Sequence, residues 1–399
     1  MEKMKAFLLA LALFLLTVTG IHIAAGRGVN TDPVFYSGWT DEAKSLSYVG
    51  LTLNMQTNMI PVFGSSEFQH GMDTSFHPAA VFRGSDFHPM LIGAGYYQSL
   101  SHSVTLAAIE KSLSCRKAVL LLSPQWFRKT GVLPQAYLSR FSEILYGKML
   151  ENDALSEKTK DYISDRTCLL LQKDSQTLAR AAKRKASVDG NVLPWYEAFL
   201  ERLWDSFLTE KDSVTIAFRQ KTAKTRLEKE ESARPSQEGG QSVDAAAGSP
   251  DWEALKKAAI AAGDAENQNP FYIDDKAYQR LKPYLPGKKG MNASAKGGYQ
   301  YGPEFEDLSC FLSVCEETGI EPMLVILPVN GYYYDYTEFP KTAREAYYTK
   351  IRQIASQYQV RTADFSDQEY TRYFFEDRVH LGKIGWVMVN EAIYQFFKE

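Results

Sequence analysis

The sequence has few of the residues on which metal sites, disulfide scaffolds and nucleic-acid surfaces depend. Four cysteines occur in 399 residues, Cys115, Cys168, Cys310 and Cys315, and none has metal-ligand spacing. Cys310 and Cys315 fall in a predicted helix, where their Cα atoms would stand about 8 to 9 Å apart, too far for a disulfide, so buried free thiols are expected. The formal net charge is only -3, which argues against a nucleic-acid binder. Histidine is scarce, with six in the chain. No Leu-x-x-Cys lipidation site follows the apolar stretch near the N-terminus.

That stretch, residues 6–25, contains no charged side chain and is preceded by Lys3 and Lys5. Twenty residues at helical rise span a bilayer, and the flanking lysines favour a cytoplasmic N-terminus with the rest of the chain across the membrane. Ala24-Ala25-Gly26 also suits signal-peptide cleavage, the competing reading. The chain as a whole has the composition of a globular protein, 45% hydrophobic and 23% charged.

Short apolar runs alternate with helical patterns in two blocks. Strands are predicted at 61–63, 86–92 and 117–122, then again at 323–327 and 360–364, with helices over 96–113, 303–318, 341–358 and 383–397. Between the blocks helical patterns dominate, at 134–152, 156–168, 195–231 and 252–262, with an Ala/Gly/Ser-rich linker over 232–250. The expected architecture is an α/β fold with a mostly parallel sheet. Its expected organisation is an anchor at 1–26, sheet-forming parts at 27–130 and 301–399, and a helical insertion at 131–300. Two basic runs in the insertion, one around Arg180 to Lys185 and one around Arg219 to Arg226, are either a polyanion or lipid-headgroup surface or solvated helix faces.

In such sheets ligands collect where strands end. The first strand stops on Gly64-Ser65-Ser66, placing Ser66 where a helix would start, with unpaired N–H groups around it. That position suits a nucleophile, although serine is equally a preferred helix cap. Near the C-terminus Asp377-Arg378-Val379-His380 sets a carboxylate three residues before an imidazole, a spacing that fixes the ring's tautomer and frees its other nitrogen to take a proton. Gly95 follows the second strand and offers either an oxyanion N–H or a turn; His102 reads as structural. Gln125 and Trp126 follow the third, an amide donor and a pocket wall or a packed loop. Asn330 follows the fourth.

Taken together, Gly64-Ser65-Ser66-Glu67, Ser123-Pro124-Gln125-Trp126-Phe127, Asn269-Pro270-Phe271, Pro328-Val329-Asn330-Gly331 with Tyr334-Asp335-Tyr336, and Asp377-x-x-His380-Leu381-Gly382 resemble the DltD family, from the anchor to the last helix. The family is the membrane-anchored component of teichoic acid D-alanylation in Gram-positive bacteria and is related to the SGNH (GDSL-like) esterases. The resemblance implies a three-layer SGNH-like core in which Ser66 matches the nucleophile, Asp377 and His380 its partners, and Gly95 or Gly93 the oxyanion glycine. Gln125 stands where those esterases have asparagine. It further implies an extracytoplasmic transfer of D-alanine to lipoteichoic acid hydroxyls without cofactor or metal. A membrane-bound O-acyltransferase (DltB-like) is the implied partner, and the D-alanyl carrier protein an indirect one. An esterase or thioesterase clearing misloaded acyl groups, and a non-catalytic adaptor, are the alternatives.

Overall fold

The computed structural model describes residues 2–29, 32–188, 194–233, 248–292, 299 and 301–399. Most of the expected linker, 234–247, lies outside the described residues. The core is one sheet of β1 (Met59–Phe63), β2 (His88–Ile92), β3 (Lys117–Leu122), β4 (Glu321–Ile326) and β5 (Arg361–Asp364), in the order β2-β1-β3-β4-β5. Every pairing is parallel. The apolar runs of β1 to β4 are buried almost throughout, as parallel strands covered on both faces require. β5 is an edge strand, largely exposed. Residues 123–320 lie between β3 and β4, yet the two strands pair from Lys117↔Glu321 to Leu122↔Ile326, so both blocks of the sequence build one sheet.

Local chemistry moves several helix boundaries. The helix expected from residue 96 begins at Ser99, because Gly93 and Tyr96 both take positive φ (144° and 76°) and hold the chain out of helical geometry. Its first free N–H, that of Ser99, donates to the buried Glu304 carboxylate at 2.8 Å. The pattern over 134–152 forms two helices, Pro134–Leu138 and Glu143–Leu150, because the Ser142 hydroxyl caps the second and also donates to the Leu46 carbonyl. A helix at Ser175–Val188 was not expected. It buries only Ala181 and Arg184, packs Leu178 partly on the core, and docks largely by ion pairs.

Those ion pairs account for the first basic run. Arg180 meets Glu143 at 3.0 Å, Lys183 meets Glu201 at 2.8 Å, Lys185 meets Asp161 at 2.7 Å, and Arg184 pairs with Asp205. In the second run, Arg219 reaches Asp41 and Lys224 reaches Asp32. The runs dock helices. Cys310 and Cys315 are buried free thiols, and burial pushes the Cys310 thiol up to about 12.

The N-terminal helix runs unbroken from Glu2 to Val29 and is the one described helix long and apolar enough to cross a membrane. Its last turn is built into the fold: Ala25 and Val29 are buried, and the Asn54 amide donates to the Val29 carbonyl at 2.9 Å.

Candidate active site

The strand order makes β1 and β3 neighbours while β2 lies on the other side of β1, so the connections leave the β1/β3 boundary in opposite directions. This is the crevice where open α/β sheets bind ligands. β1 ends there. Gly64 crosses closely over the Phe68 ring, where a Cβ would sit 2.8 Å from a ring carbon, and the chain turns into a short 3-10 segment, Ser66–Gln69. Ser65 is buried and spent on structure: its hydroxyl donates to the Ala94 carbonyl at 3.1 Å and its N–H to the buried Glu67 carboxylate at 2.7 Å. Ser66, half-buried, is left facing the crevice side chains.

Its partner is His380. Ser66 Oγ lies 2.8 Å from His380 Nε2, and His380 Nδ1 lies 2.8 Å from Asp377 Oδ2. The other Asp377 oxygen accepts the N–H groups of Val379 and His380, both at 2.9 Å, which fixes the carboxylate on its own turn. Burial works against ionisation of Asp377, but the hydrogen bond and charge of His380 with those two N–H groups outweigh it, and the carboxyl is held well below the usual range. Burial likewise opposes charge on His380, and Asp377, then Glu67 and Glu376, overcome it and raise its pKa. A hydroxyl, an imidazole of raised basicity and an ionised carboxylate therefore stand in line, the arrangement of a serine nucleophile with its base.

Of the two glycines considered for the oxyanion, Gly93 has its N–H committed to Ser45 Oγ at 2.8 Å. The Gly95 N–H reaches only Gln69 Oε1, at 3.4 Å, while its carbonyl accepts from Arg140 Nε at 2.7 Å, so its peptide is oriented and its donor is readily exchanged. Glu42 holds Arg140 in turn, at 2.7 Å. Gln125 follows β3, half-buried, and its amide makes no hydrogen bond among the described residues. Trp126 points into the core, 2% exposed and packed near the His102 ring. Asn330 is spent on the backbone: it accepts from Tyr333 N and donates to the Phe271 carbonyl, both at 2.9 Å. It thereby ties the Asn-Pro-Phe loop to the turn after β4.

Sequence reasoning missed His70 and Glu376. The His70 ring stacks on His380, and His70 Nδ1 lies 3.0 Å from Glu376 Oε1, so a second imidazole–carboxylate pair lies against the first. The only sequence signal is position, His70 four residues after Ser66 and Glu376 directly before Asp377. His70, Asp377 and His380 offer ligand atoms within 4.8 Å of one another, enough to hold a cation. Asp377 and His380 already use their side chains on each other and on Ser66, so a cation there would take the base away.

A family model described as DltD protein matches residues 38–398. Protein DltD of Bacillus subtilis (strain 168) is 34% identical over 346 residues, covering 85% of this chain and 82% of its own. Protein DltD of Staphylococcus aureus (strain NCTC 8325 / PS 47) is 25% identical over 90% of this chain and 86% of its own. Protein DltD of Lacticaseibacillus rhamnosus is 25% identical over 86% and 78%. The chain belongs to the DltD family.

Proposed function

We propose that this protein is the acyl-transferring component of teichoic acid D-alanylation, working on the outer side of the membrane. The observation that carries the reading is the continuous hydrogen-bonded line Ser66–His380–Asp377, drawn from segments 314 residues apart. Ser66 Oγ attacks the D-alanyl carbonyl as His380 Nε2 takes its proton; the bond to the donor's leaving atom breaks, and that atom leaves with the proton from His380. A lipoteichoic acid hydroxyl then repeats the exchange, losing its proton to His380 and taking the D-alanyl group as Ser66 recovers its hydrogen. Gly95 N–H and the Gln125 amide are the donors proposed for the oxyanion. No step uses a metal or cofactor. A membrane-bound O-acyltransferase supplying D-alanine through the bilayer is the partner this scheme requires, with the D-alanyl carrier protein acting upstream of it.

The test is teichoic acid D-alanine ester content in cells lacking the native gene and carrying wild-type, Ser66→Ala or His380→Ala protein at equal membrane levels. Loss as complete as in the deletion supports the chemistry, whereas near-wild-type ester with Ser66→Ala leaves only an adaptor. Release of free alanine that is indifferent to added lipoteichoic acid would instead identify a hydrolase.

A further inference from the structure

The long helix Trp195–Ala233 has two faces with opposite environments. On one, Glu201 meets Lys183, Asp205 pairs with Arg184, Trp204 Nε1 donates to Glu143, Asp212 accepts from Val49 N at 2.8 Å, and Ile216 and Gln220 are buried. This face docks on the body of the protein. The other face packs on the N-terminal apolar helix in its second half. His22 pairs with Glu210 at 2.5 Å, a Cβ at Gly28 would lie 2.9 Å from that of Ala217, and Asp32 pairs with Lys224 at 3.1 Å. Both members of each pair rise together in sequence, so the two helices run parallel.

At 100° per residue the anchor-facing positions Glu210, Ala217 and Lys224 continue toward the N-terminus as Trp195, Tyr196, Phe199, Leu200, Leu203 and Phe207. All six are exposed, from 50% to 82%. Trp195 lies fifteen residues before Glu210, roughly 22 Å along the helix toward the membrane-spanning part of the anchor, whose residues 2–24 are likewise all exposed. An apolar stripe this long, headed by Trp and Tyr, continuous with the anchor contact and backed by a polar face already neutralised by the protein, matches a helix face laid along the lipid-exposed side of the anchor.

We propose that the first half of this helix is a second membrane attachment: its aromatic and aliphatic stripe lies in lipid beside the anchor and fixes how the body meets the bilayer. The inference rests on the apolar helix being a membrane span. The attachment needs no anionic lipid, since the neighbouring basic residues Lys183 and Arg184 are already paired with Glu201 and Asp205.

The experiment uses the full chain in nanodiscs of phosphatidylcholine with or without bromine on the acyl chains. The emission attributable to Trp195 is the difference between wild type and Trp195→Phe. We expect brominated lipid to quench that difference by about half or more. In a Phe199→Glu/Leu203→Glu background the quenching disappears while the protein still resists carbonate extraction from membranes. A Trp195 signal indifferent to bromine overturns the proposal and assigns the stripe to a protein partner or a second copy. Loss of wild-type protein on carbonate washing overturns the anchor itself, and the two failures are distinct.

Discussion

His70 lies flat on the proposed base His380, ring centroids 3.7 Å apart and planes 8° apart, and each imidazole holds its own carboxylate, Glu376 and Asp377. Burial lowers the His380 pKa, and Asp377, then Glu67 and Glu376, more than offset it, so Glu376 is one of the charges that raise it. His380 acts as a base only when neutral, so activity should rise with pH through its pKa, which stands above the ordinary 6.5. Glu376→Gln removes one negative charge and should move the acid limb of the kcat/KM profile for D-alanyl transfer to lower pH, by a few tenths of a unit to about one unit. An unmoved limb would show that the second pair only fills space.

Asp377→Asn separates orientation from folding. The amide oxygen can still accept the N–H groups of Val379 and His380, so the turn should persist and the unfolding midpoint should stay close to wild type. The group facing His380 Nδ1 becomes a donor, which forces the wrong tautomer and leaves Nε2 protonated against Ser66. By analogy with other triads the transfer rate should fall about 10⁴-fold. Single-turnover transfer from a D-alanyl donor measures it.

How much of this was legible in the sequence follows from which signals are local. The strands were, because β1 to β4 are unbroken apolar runs bounded by glycine, serine or charge. Ser66, Asp377 and His380 were, because each sits in a short motif at a strand end or on one turn. The His70–Glu376 pair was not, since neither residue has a partner at informative spacing and they meet only when the two ends of the chain come together. Nor was the role of Asn330, whose polar position after a strand resembles a ligand donor but whose side chain ties two loops together. The helix Ser175–Val188 escaped because its buried face holds only Ala181 and Arg184, and charged side chains at helical spacing, Arg180, Lys183 and Arg184, do the rest of the docking.

The two glycines after β2 should respond oppositely to a methyl group. At Gly93 the backbone has φ of 144° and a Cβ would come within 1.9 Å of the Gly64 carbonyl oxygen, at the base of the serine turn. Gly93→Ala should cost about 3 kcal/mol or more and yield little folded protein. At Gly95 the nearest atom is Gln69 Oε1 at 3.8 Å, so Gly95→Ala should fold normally and keep its N–H. Thermal unfolding of the two variants decides the matter; equal stability would refute the assigned difference.

Beneath the helical region Arg166 meets Asp307 at 3.1 Å, with the Asp307 side chain fully buried and the Tyr162 hydroxyl donating to it at 2.8 Å. Arg166→Met leaves a buried carboxylate without its counter-charge and should destabilise by about 3 to 5 kcal/mol. Adding Asp307→Leu removes the stranded charge and should restore most of that loss. Urea unfolding of the two variants in detergent checks the sign: a double variant less stable than the single one would mean that the pair is held for more than charge balance.

Acid stability should be set in part by two buried histidines, His77 and His102. Burial lowers the His102 pKa to about 3, against the pull of the nearby Gly64 carbonyl, and lowers that of His77 to about 4, against the Phe68 carbonyl. In the unfolded chain both would titrate near 6.5. Between those limits the unfolded state binds more protons, so the folded state is fully favoured above about pH 6.5 and loses stability as pH falls. At pH 4.5 the loss is on the order of 2 kcal/mol for each residue. Glu304 and Asp307, whose carboxyls burial pushes up, act in the opposite sense, so the wild-type slope alone is ambiguous and a difference is needed. His102 lies among the rings of Phe63, Tyr97 and Trp126, where phenylalanine has a compatible shape. His102→Phe should therefore lose less stability than wild type between pH 7 and 4.5, by about 2 kcal/mol. Parallel stability curves for the two proteins would show that His102 is protonated without unfolding. Its neutrality matters to the core, because both ring nitrogens are buried without a hydrogen-bond partner among the described residues and a charge there would be unpaired.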